Sequence, residues 1–231
     1  MTNRKGLLAL CLALAFVMLA CGGPQTKTKD SDTGNSGDEV FESNVKKNAT
    51  PEPDAEVAVI EMANPAYGKI VIELYPNLAP QMVERFKELI REKFYDGTAF
   101  HRIDPELGII QGGDPLSKDN DPANDGTGNS NYPNVPAEFS DVPYERGTVG
   151  AARRGEGPGL TAEQARDTAN CQFYITTKRQ PAFDRQYTVF GRVIEGMNNV
   201  SIISGAPVEE GTEHPADKII IKTITLQPRK Q

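Results

Sequence analysis

Tryptophan and cysteine are scarce in this chain. It has no tryptophan and three cysteines in 231 residues. Cys11 and Cys21 lie in an apolar N-terminal segment, so Cys171 is alone in the rest of the chain. A single cysteine cannot build an internal disulfide framework. The sequence therefore predicts a body that is held together by its core alone.

Basic residues are too few to balance the acidic ones. The chain has 25 Lys and Arg against 32 Asp and Glu, a formal net charge of −7. Such a balance is unfavourable for binding a phosphate backbone, so we expect no nucleic-acid partner. The apolar content of 38% and charged content of 25% are typical of a soluble globular protein.

No apolar run in the sequence reaches the length of about 20 residues that a membrane-spanning helix needs. The longest covers the 14 residues 7–20 and follows Arg4 and Lys5. A short apolar run behind a basic segment is typical of a secretory signal peptide. The sequence therefore predicts an exported chain whose residues 1–20 are removed.

The end of this run, Met18-Leu19-Ala20-Cys21, resembles a lipobox, in which small residues precede a cysteine that receives lipid. We therefore expect a lipoprotein signal peptide over 1–20 and a lipid on Cys21. Several acyl chains give stable anchoring to a membrane. This places the protein outside the cytoplasm, on a membrane of the bacterial cell envelope. The alternative is an ordinary secretory signal with a chance cysteine.

Residues 21–55 are polar and contain a single aromatic residue, Phe41. Such a segment buries too little apolar surface to offset its chain entropy. The composition predicts a disordered tether with an r.m.s. reach of about 30–35 Å. The folded domain is then expected over residues 56–228.

Short strands separated by turn residues dominate the body. Apolar alternation and β-branched runs predict strands near residues 57–62, 69–75, 98–103, 109–112, 148–152, 172–177, 188–193 and 218–226. The first two are expected to pair as a hairpin. Pro80 and the helical spacing of Met82, Phe86 and Leu89 predict a helix there, and a second is expected over 197–203. The pattern favours a small antiparallel β-barrel covered by helices.

Several segments occur in the order that cyclophilin-type peptidyl-prolyl cis-trans isomerases show. Residues 95–103 read YDGTAFHRI, 110–115 read IQGGDP, 147–153 read GTVGAAR and 171–175 read CQFYI. GTG at 126–128, EF at 138–139, FD at 183–184 and VFG at 189–191 lie between or beyond them. The resemblance covers the whole predicted body. It implies a mainly β fold, a closed eight-stranded antiparallel barrel capped by two α-helices, in a monomer without cofactor or metal.

The resemblance also implies the reaction and its residues. Rotation about an Xaa-Pro bond breaks no covalent bond and must overcome a barrier of about 18–20 kcal/mol. Arg102 matches the family's catalytic arginine, whose permanent cation hydrogen-bonds the imide nitrogen. Gln111 orients this arginine and the substrate. The residues expected to bind the proline-containing peptide are Phe100, His101, Ile109, Gln111, Ala152, Arg153, Gln172, Phe173, Phe183 and Tyr187.

Within this set, Phe173 and Tyr187 are the residues we expect to line the proline pocket. Ala152 and Arg153 match the backbone segment that pairs with the bound peptide. His101 is interpreted as pocket lining or a structural histidine, because the chemistry needs neither acid nor base. The proposed clients are proline-containing segments of exported proteins during folding.

The sequence departs from the family at the turn after Arg102, which is one residue longer. Gly108 stands where a pocket phenylalanine is usual, with Leu107 beside it. The pocket is expected to be shallower there, unless Leu107 turns into it. Residues 154–169 form an insertion that is expected to reshape the rim of the groove.

Two alternatives remain open at this point. The missing phenylalanine favours a module that binds proline peptides, as a chaperone, with little turnover, whereas Arg102 and Gln111 favour catalysis. A calcium-binding lipoprotein would use the oxygens of Asp119, Asp121, Asn124 and Asp125, but their spacing does not fit an EF-hand.

Overall fold

The computed structural model describes residues 44–230. The predicted signal peptide, the lipid site Cys21 and the tether as far as residue 43 lie outside this range, so those predictions stay untested. None of the helices within 44–230 has the length and apolarity required to cross a membrane. The elements are β1 (Glu56–Met62), β2 (Lys69–Leu74), α1 (Pro80–Arg91), β3 (Ala99–Asp104), β4 (Ile109–Gly112), β5 (Thr148–Ala151), α2 (Ala162–Arg166), β6 (Phe173–Thr176), β7 (Val189–Glu195), α3 (Met197–Ser204) and β8 (Ile219–Pro228).

The eight strands form a closed barrel in the order β1-β2-β7-β5-β6-β4-β3-β8, and every neighbouring pair is antiparallel. The predicted fold is confirmed, including the hairpin of β1 and β2, in which Val59 pairs with Val71. Closure removes free strand edges. It also places β3, β4, β6 and β5 side by side, and these strands carry most of the expected site.

Helices α1 and α3 match the two expected capping helices. Phe86 of α1 inserts into the barrel interior, where its ring lies 5.2 Å from Phe190 and 5.4 Å from Phe173. The Glu138 carboxylate accepts hydrogen bonds from the first-turn amides of α1, because Ala79 provides no side-chain cap. The additional helix α2 lies in the predicted insertion and begins with a capping box of Thr161 and Gln164.

The tether prediction extended too far at its C-terminal end. Residues 44–55 lie against the barrel, with Val45 only 5% exposed. Lys46 donates its amide to Phe139 O at 2.9 Å and its ammonium to Leu78 O at 2.8 Å. Asp54 forms an ion pair with Lys87 of α1 at 3.0 Å. Composition missed this segment because hydrogen bonds and an ion pair, rather than apolar burial, hold most of it in place.

Candidate active site

Arg102 projects from β3 into a groove, and three side chains bind its guanidinium. Nη1 donates to Gln111 Oε1 at 3.3 Å, and Nη2 donates to Asp104 Oδ2 at 2.9 Å. Nε donates to the Glu213 carboxylate. These three hydrogen bonds fix the cation in place. Because the side chain is 32% exposed, it is still accessible from the groove.

The hydrogen bonds of Arg102 continue through two amides on neighbouring strands. Gln111 of β4 donates Nε2 to Gln172 Oε1 at 3.0 Å. Gln172 in turn donates Nε2 to the carbonyls of Gly126 at 3.1 Å and Gly128 at 2.9 Å. Each amide accepts on its oxygen and donates from its nitrogen, so the chain of bonds fixes both orientations. The structure thus brings the predicted Arg102, Gln111 and Gln172 into one connected network.

An aromatic cluster on the outer face of the barrel forms an apolar wall. The ring centroids of Phe183 and Tyr187 are 4.9 Å apart, and Tyr174 lies 5.6 Å from Phe183 and 6.0 Å from Tyr187. Ile109 is buried in this cluster, and Ala152 packs against it. The predicted Ile109, Phe183, Tyr187 and Ala152 therefore share one cluster, in which Ile109 and Phe183 are buried and Tyr187 and Ala152 are partly exposed.

Phe173, by contrast, does not belong to this wall, and its assignment as a pocket residue was wrong. It is fully buried in the barrel interior and packs edge-on against Phe86, Tyr95 and Phe100. The same correction applies to Phe100, whose ring is buried in the interior cluster. Successive residues of a strand face opposite sides of a sheet, so Phe173 inside places Tyr174 outside.

Tyr174 is therefore the aromatic residue that sequence reasoning missed. Its hydroxyl lies 3.1 Å from that of Tyr144, which is also buried in the outer cluster. Gly150 makes room for this pair, since a Cβ there would lie 2.5 Å from the Tyr174 hydroxyl. No alternation of polar and apolar residues in β6 marks Tyr174 in the sequence, and the position of Tyr144 depends on the packing of a loop.

The turn after Arg102 has no side chain that replaces the expected phenylalanine. Gly108 adopts a positive φ of 63°, and the stem of Lys178 covers it closely. Leu107 is 38% exposed and does not join the outer cluster. It is instead held by its backbone, which accepts from Gln180 and donates to Asp104. Leu107 thus does not turn into the cluster, and the shallower pocket stays a prediction.

A second recess adjoins the network, and Gln111 is part of its lining. It has a volume of about 270 Å³ and is lined by Arg153, Arg154 and Thr168, among others. Arg153 stacks on Tyr187, with its guanidinium carbon 4.4 Å from the ring centroid. The Thr168 hydroxyl accepts the amide of Arg154 at 2.9 Å. The insertion at 154–169 therefore contributes directly to the rim of the groove.

His101 lies beneath the groove and is 3% exposed. Neither of its ring nitrogens has a hydrogen-bond partner within the described part of the chain. Burial lowers the pKa of His101 to about 4, so the ring is neutral at physiological pH. A neutral imidazole without partners agrees with the interpretation of His101 as groove lining.

The acidic loop that suggested calcium is organised for local turns. Asp119 accepts the amide of Asp121 and the side chain of Asn124, while Asp121 accepts the amide of Ala123. Lys218 donates its ammonium to the Asp119 carbonyl. Among residues 44–230 no three His, Cys, Asp or Glu side chains are grouped so as to hold a metal ion. The side-chain oxygens of Asp119 and Asp121 are therefore used in local hydrogen bonds.

Comparison with known proteins places these observations in one family. The family described as "Cyclophilin type peptidyl-prolyl cis-trans isomerase/CLD" matches residues 57–226. A probable peptidyl-prolyl cis-trans isomerase of Brucella suis is 43% identical over 68% of this chain and 78% of its own length. A peptidyl-prolyl cis-trans isomerase-like 3 protein of Gallus gallus is 33% identical over 69% of this chain and 90% of its own.

Solved structures agree with this result. A cyclophilin-type isomerase of Cryptosporidium parvum, crystallised in the presence of the dipeptide Ala-Pro, superposes with a TM-score of 0.62 and 26% identity. The match covers 75% of this chain and 99% of that one.

Proposed function

The chain belongs to the cyclophilin-type peptidyl-prolyl cis-trans isomerases, and from this we propose that Arg102 is the catalytic residue of Xaa-Pro bond rotation. The observation that carries the proposal is the position of its guanidinium, fixed beside Gln111 in an open groove. Tyr187, the partly exposed member of the cluster with Tyr174 and Phe183, is then the side chain that contacts the proline ring.

The proposed role follows from the electronic structure of the imide. Delocalisation of the nitrogen lone pair gives the C–N bond its barrier of about 18–20 kcal/mol. A hydrogen bond donated to that lone pair is possible only as the bond twists, and it opposes delocalisation. Arg102 provides such a donor, and its guanidinium keeps its charge at any relevant pH. An interaction that forms mainly in the twisted state accelerates the reaction.

We further propose that no covalent intermediate or cofactor takes part. Cys171 is the free cysteine among residues 44–230, and burial raises its pKa to about 12. It therefore remains a thiol rather than a nucleophilic thiolate. His101 is neutral and buried, which agrees with a reaction that needs no proton transfer.

The proposed clients are proline-containing segments of proteins that fold after export. Support comes from the apolar run at 7–20 and from Cys21 at its end, which predict export and a lipid anchor. We propose that the protein acts as a monomer at a membrane of the bacterial cell envelope, without a nucleic-acid partner. A membrane-tethered domain meets exported chains while their Xaa-Pro bonds are still isomerising, over about 10–100 s.

The test compares catalytic efficiency on an Xaa-Pro peptide for wild type, Arg102→Ala and Arg102→Lys. Loss of one preorganised donor typically costs about 10²–10³ in rate, so Arg102→Ala should be slower by this amount. Arg102→Lys should be nearly as slow, because an ammonium lacks the planar fork. Arg192→Ala, an exposed arginine on β7, is the matched control. Full activity in a well-folded Arg102→Ala protein would refute the assignment.

A second candidate function is a peptide-binding module with little turnover. Gly108 favours it, because the apolar wall lacks the ring that relatives are expected to place there. Titration of the wild-type protein with the same peptide separates the two candidates. Binding without measurable acceleration of exchange would favour the module, and acceleration would favour the isomerase.

A further inference from the structure

Two carboxylates bind the proposed catalytic guanidinium, and one of them lies 111 residues away in sequence. Asp104 accepts from Nη2 of Arg102 at 2.9 Å, and Glu213 accepts from Nε. Together with Gln111 they use three of the five N–H groups that an arginine offers. The cation is therefore held from three directions, with donors left for a ligand.

Asp104 is the buried partner and is itself fixed. Its side chain is 6% exposed, and its second oxygen accepts the amide of Leu107 at 2.7 Å. The carboxylate thus closes the long turn between β3 and β4 and holds Arg102 from below. Because its second oxygen is bound, the Asp104 carboxylate has little freedom to move with the guanidinium of Arg102.

Glu213 is more exposed, at 47%, and an isolated pair of this exposure would contribute little. Its backbone, however, is anchored beside the arginine. The carbonyl of Glu213 accepts the amide of Ile103 at 2.8 Å, and His214 Nδ1 lies 3.3 Å from the carbonyl of His101. The loop before β8 is therefore tied to β3 on both sides of Arg102, so much of the entropy of forming the pair is already lost.

From this arrangement we infer that Glu213 is a positioning residue for Arg102. It restricts the guanidinium to the orientation in which the free N–H groups face the groove, and its effect on catalysis passes through Arg102. The inference rests on the proposed catalytic role of Arg102. It assigns a function to a loop that also lines the groove through Gly211, Thr212 and His214.

The experiment is a double-mutant cycle in the full chain. Catalytic efficiency is measured on an Xaa-Pro peptide for Glu213→Ala, Arg102→Ala and the double variant, with folding checked by thermal melting. Glu213→Ala should lower kcat about two- to fivefold with KM nearly unchanged. It should have no further effect in the Arg102→Ala protein. Glu213→Gln, which keeps an acceptor, should recover part of the loss, and Glu210→Ala on the same loop is the control.

A spectroscopic measurement supports the cycle where residual activity is low. The Nε–H resonance of Arg102, assigned by its loss in Arg102→Ala, should be protected from solvent exchange in wild type and exposed in Glu213→Ala. Equal losses of activity in both backgrounds, unchanged activity, or faster turnover in Glu213→Ala would each overturn the inference. Failure of Arg102→Ala to reduce activity would instead overturn the proposed function.

Discussion

The ion pair between Asp54 and Lys87 gives the sharpest test of where the folded domain begins. Asp54 lies in the segment that composition assigned to the tether. Lys87 of α1 is only 8% exposed, and its Nζ lies 3.0 Å from Asp54 Oδ2 and 2.9 Å from Glu56 Oε2. Asp54 also accepts the amide of Glu56 at 2.9 Å. Asp54→Ala removes these interactions and leaves Lys87 with one carboxylate.

The expected magnitude follows from burial. Removing one partner of a fully buried pair costs about 3–5 kcal/mol, because the remaining charge is uncompensated. Glu56 still pairs with Lys87, so we expect a loss of about 1–3 kcal/mol in the free energy of unfolding. For a domain of this size each kcal/mol shifts Tm by about 2–4 °C, which predicts a decrease of about 2–12 °C.

The effect should also depend on pH in a defined direction. Burial alone would raise the pKa of Asp54, but the hydrogen bond from Glu56 and the interaction with Lys87 outweigh it, so the pKa is lowered. A carboxyl group with a lowered pKa stabilises the fold above its unfolded-state pKa, and this contribution is lost as the pH falls through its folded-state pKa. The difference between wild type and Asp54→Ala should therefore be complete at neutral pH and shrink in acid.

Thermal and urea unfolding of the two proteins at neutral and acidic pH measure this prediction. Glu52→Ala is the matched control, because it removes the same charge from an exposed side chain in the same segment. An Asp54→Ala protein as stable as Glu52→Ala at neutral pH would show that the interactions of Asp54 contribute nothing to stability. A difference that grows on acidification would contradict the sign derived from the pKa.

Three other substitutions test the barrel interior, the groove wall and the lipid anchor. Phe173→Ala should lower the free energy of unfolding by about 3–5 kcal/mol, because the ring fills the barrel interior. Tyr187→Ala should instead raise KM about two- to tenfold through lost ring contact, with a smaller change in Tm. A large loss of stability in Tyr187→Ala, together with a raised KM in a stable Phe173→Ala protein, would contradict the placement of Phe173 in the interior and Tyr187 at the groove. Cys21→Ala should move the protein from the detergent phase to the aqueous phase, and equal partitioning of both proteins would argue against a lipid.

Local sequence patterns predicted the strands closely because turn residues bound each of them. Residues 98–103 were expected as a strand, and the structure has Ala99–Asp104. The C-terminal end of α1 could not be predicted from the spacing of its apolar residues, because that spacing continues to Phe94. In the structure it ends at Arg91, because Lys93 takes a positive φ of 57° and the Phe94 amide turns back to Leu89 O at 2.9 Å. A lysine carries no signal for that conformation.

The candidate site could be predicted only in part. The sequence motifs identify its residues, but they do not show which face of the barrel each side chain is on. Arg102, Gln111 and Gln172 lie in recognisable segments, and the barrel brings them into one hydrogen-bonded network. Phe173 and Tyr174 are adjacent aromatic residues in a strand that is buried on both sides. Their side chains point in opposite directions, and no alternation of polar and apolar residues marks which one faces the groove.

The residues that distinguish this site depend on closure of the barrel. Pairing of Ala99 with Ile220 and of Phe100 with Ile219 places the loop before β8 beside β3, so Glu213 reaches Arg102 across the chain. The turn after Arg102 then changes two features at once. Gly108 removes a ring from the apolar wall, and Asp104 adds a buried carboxylate to the guanidinium. On the proposed function, we therefore expect turnover to depend more on the orientation of Arg102, which Asp104 and Glu213 hold, than on apolar contact at position 108.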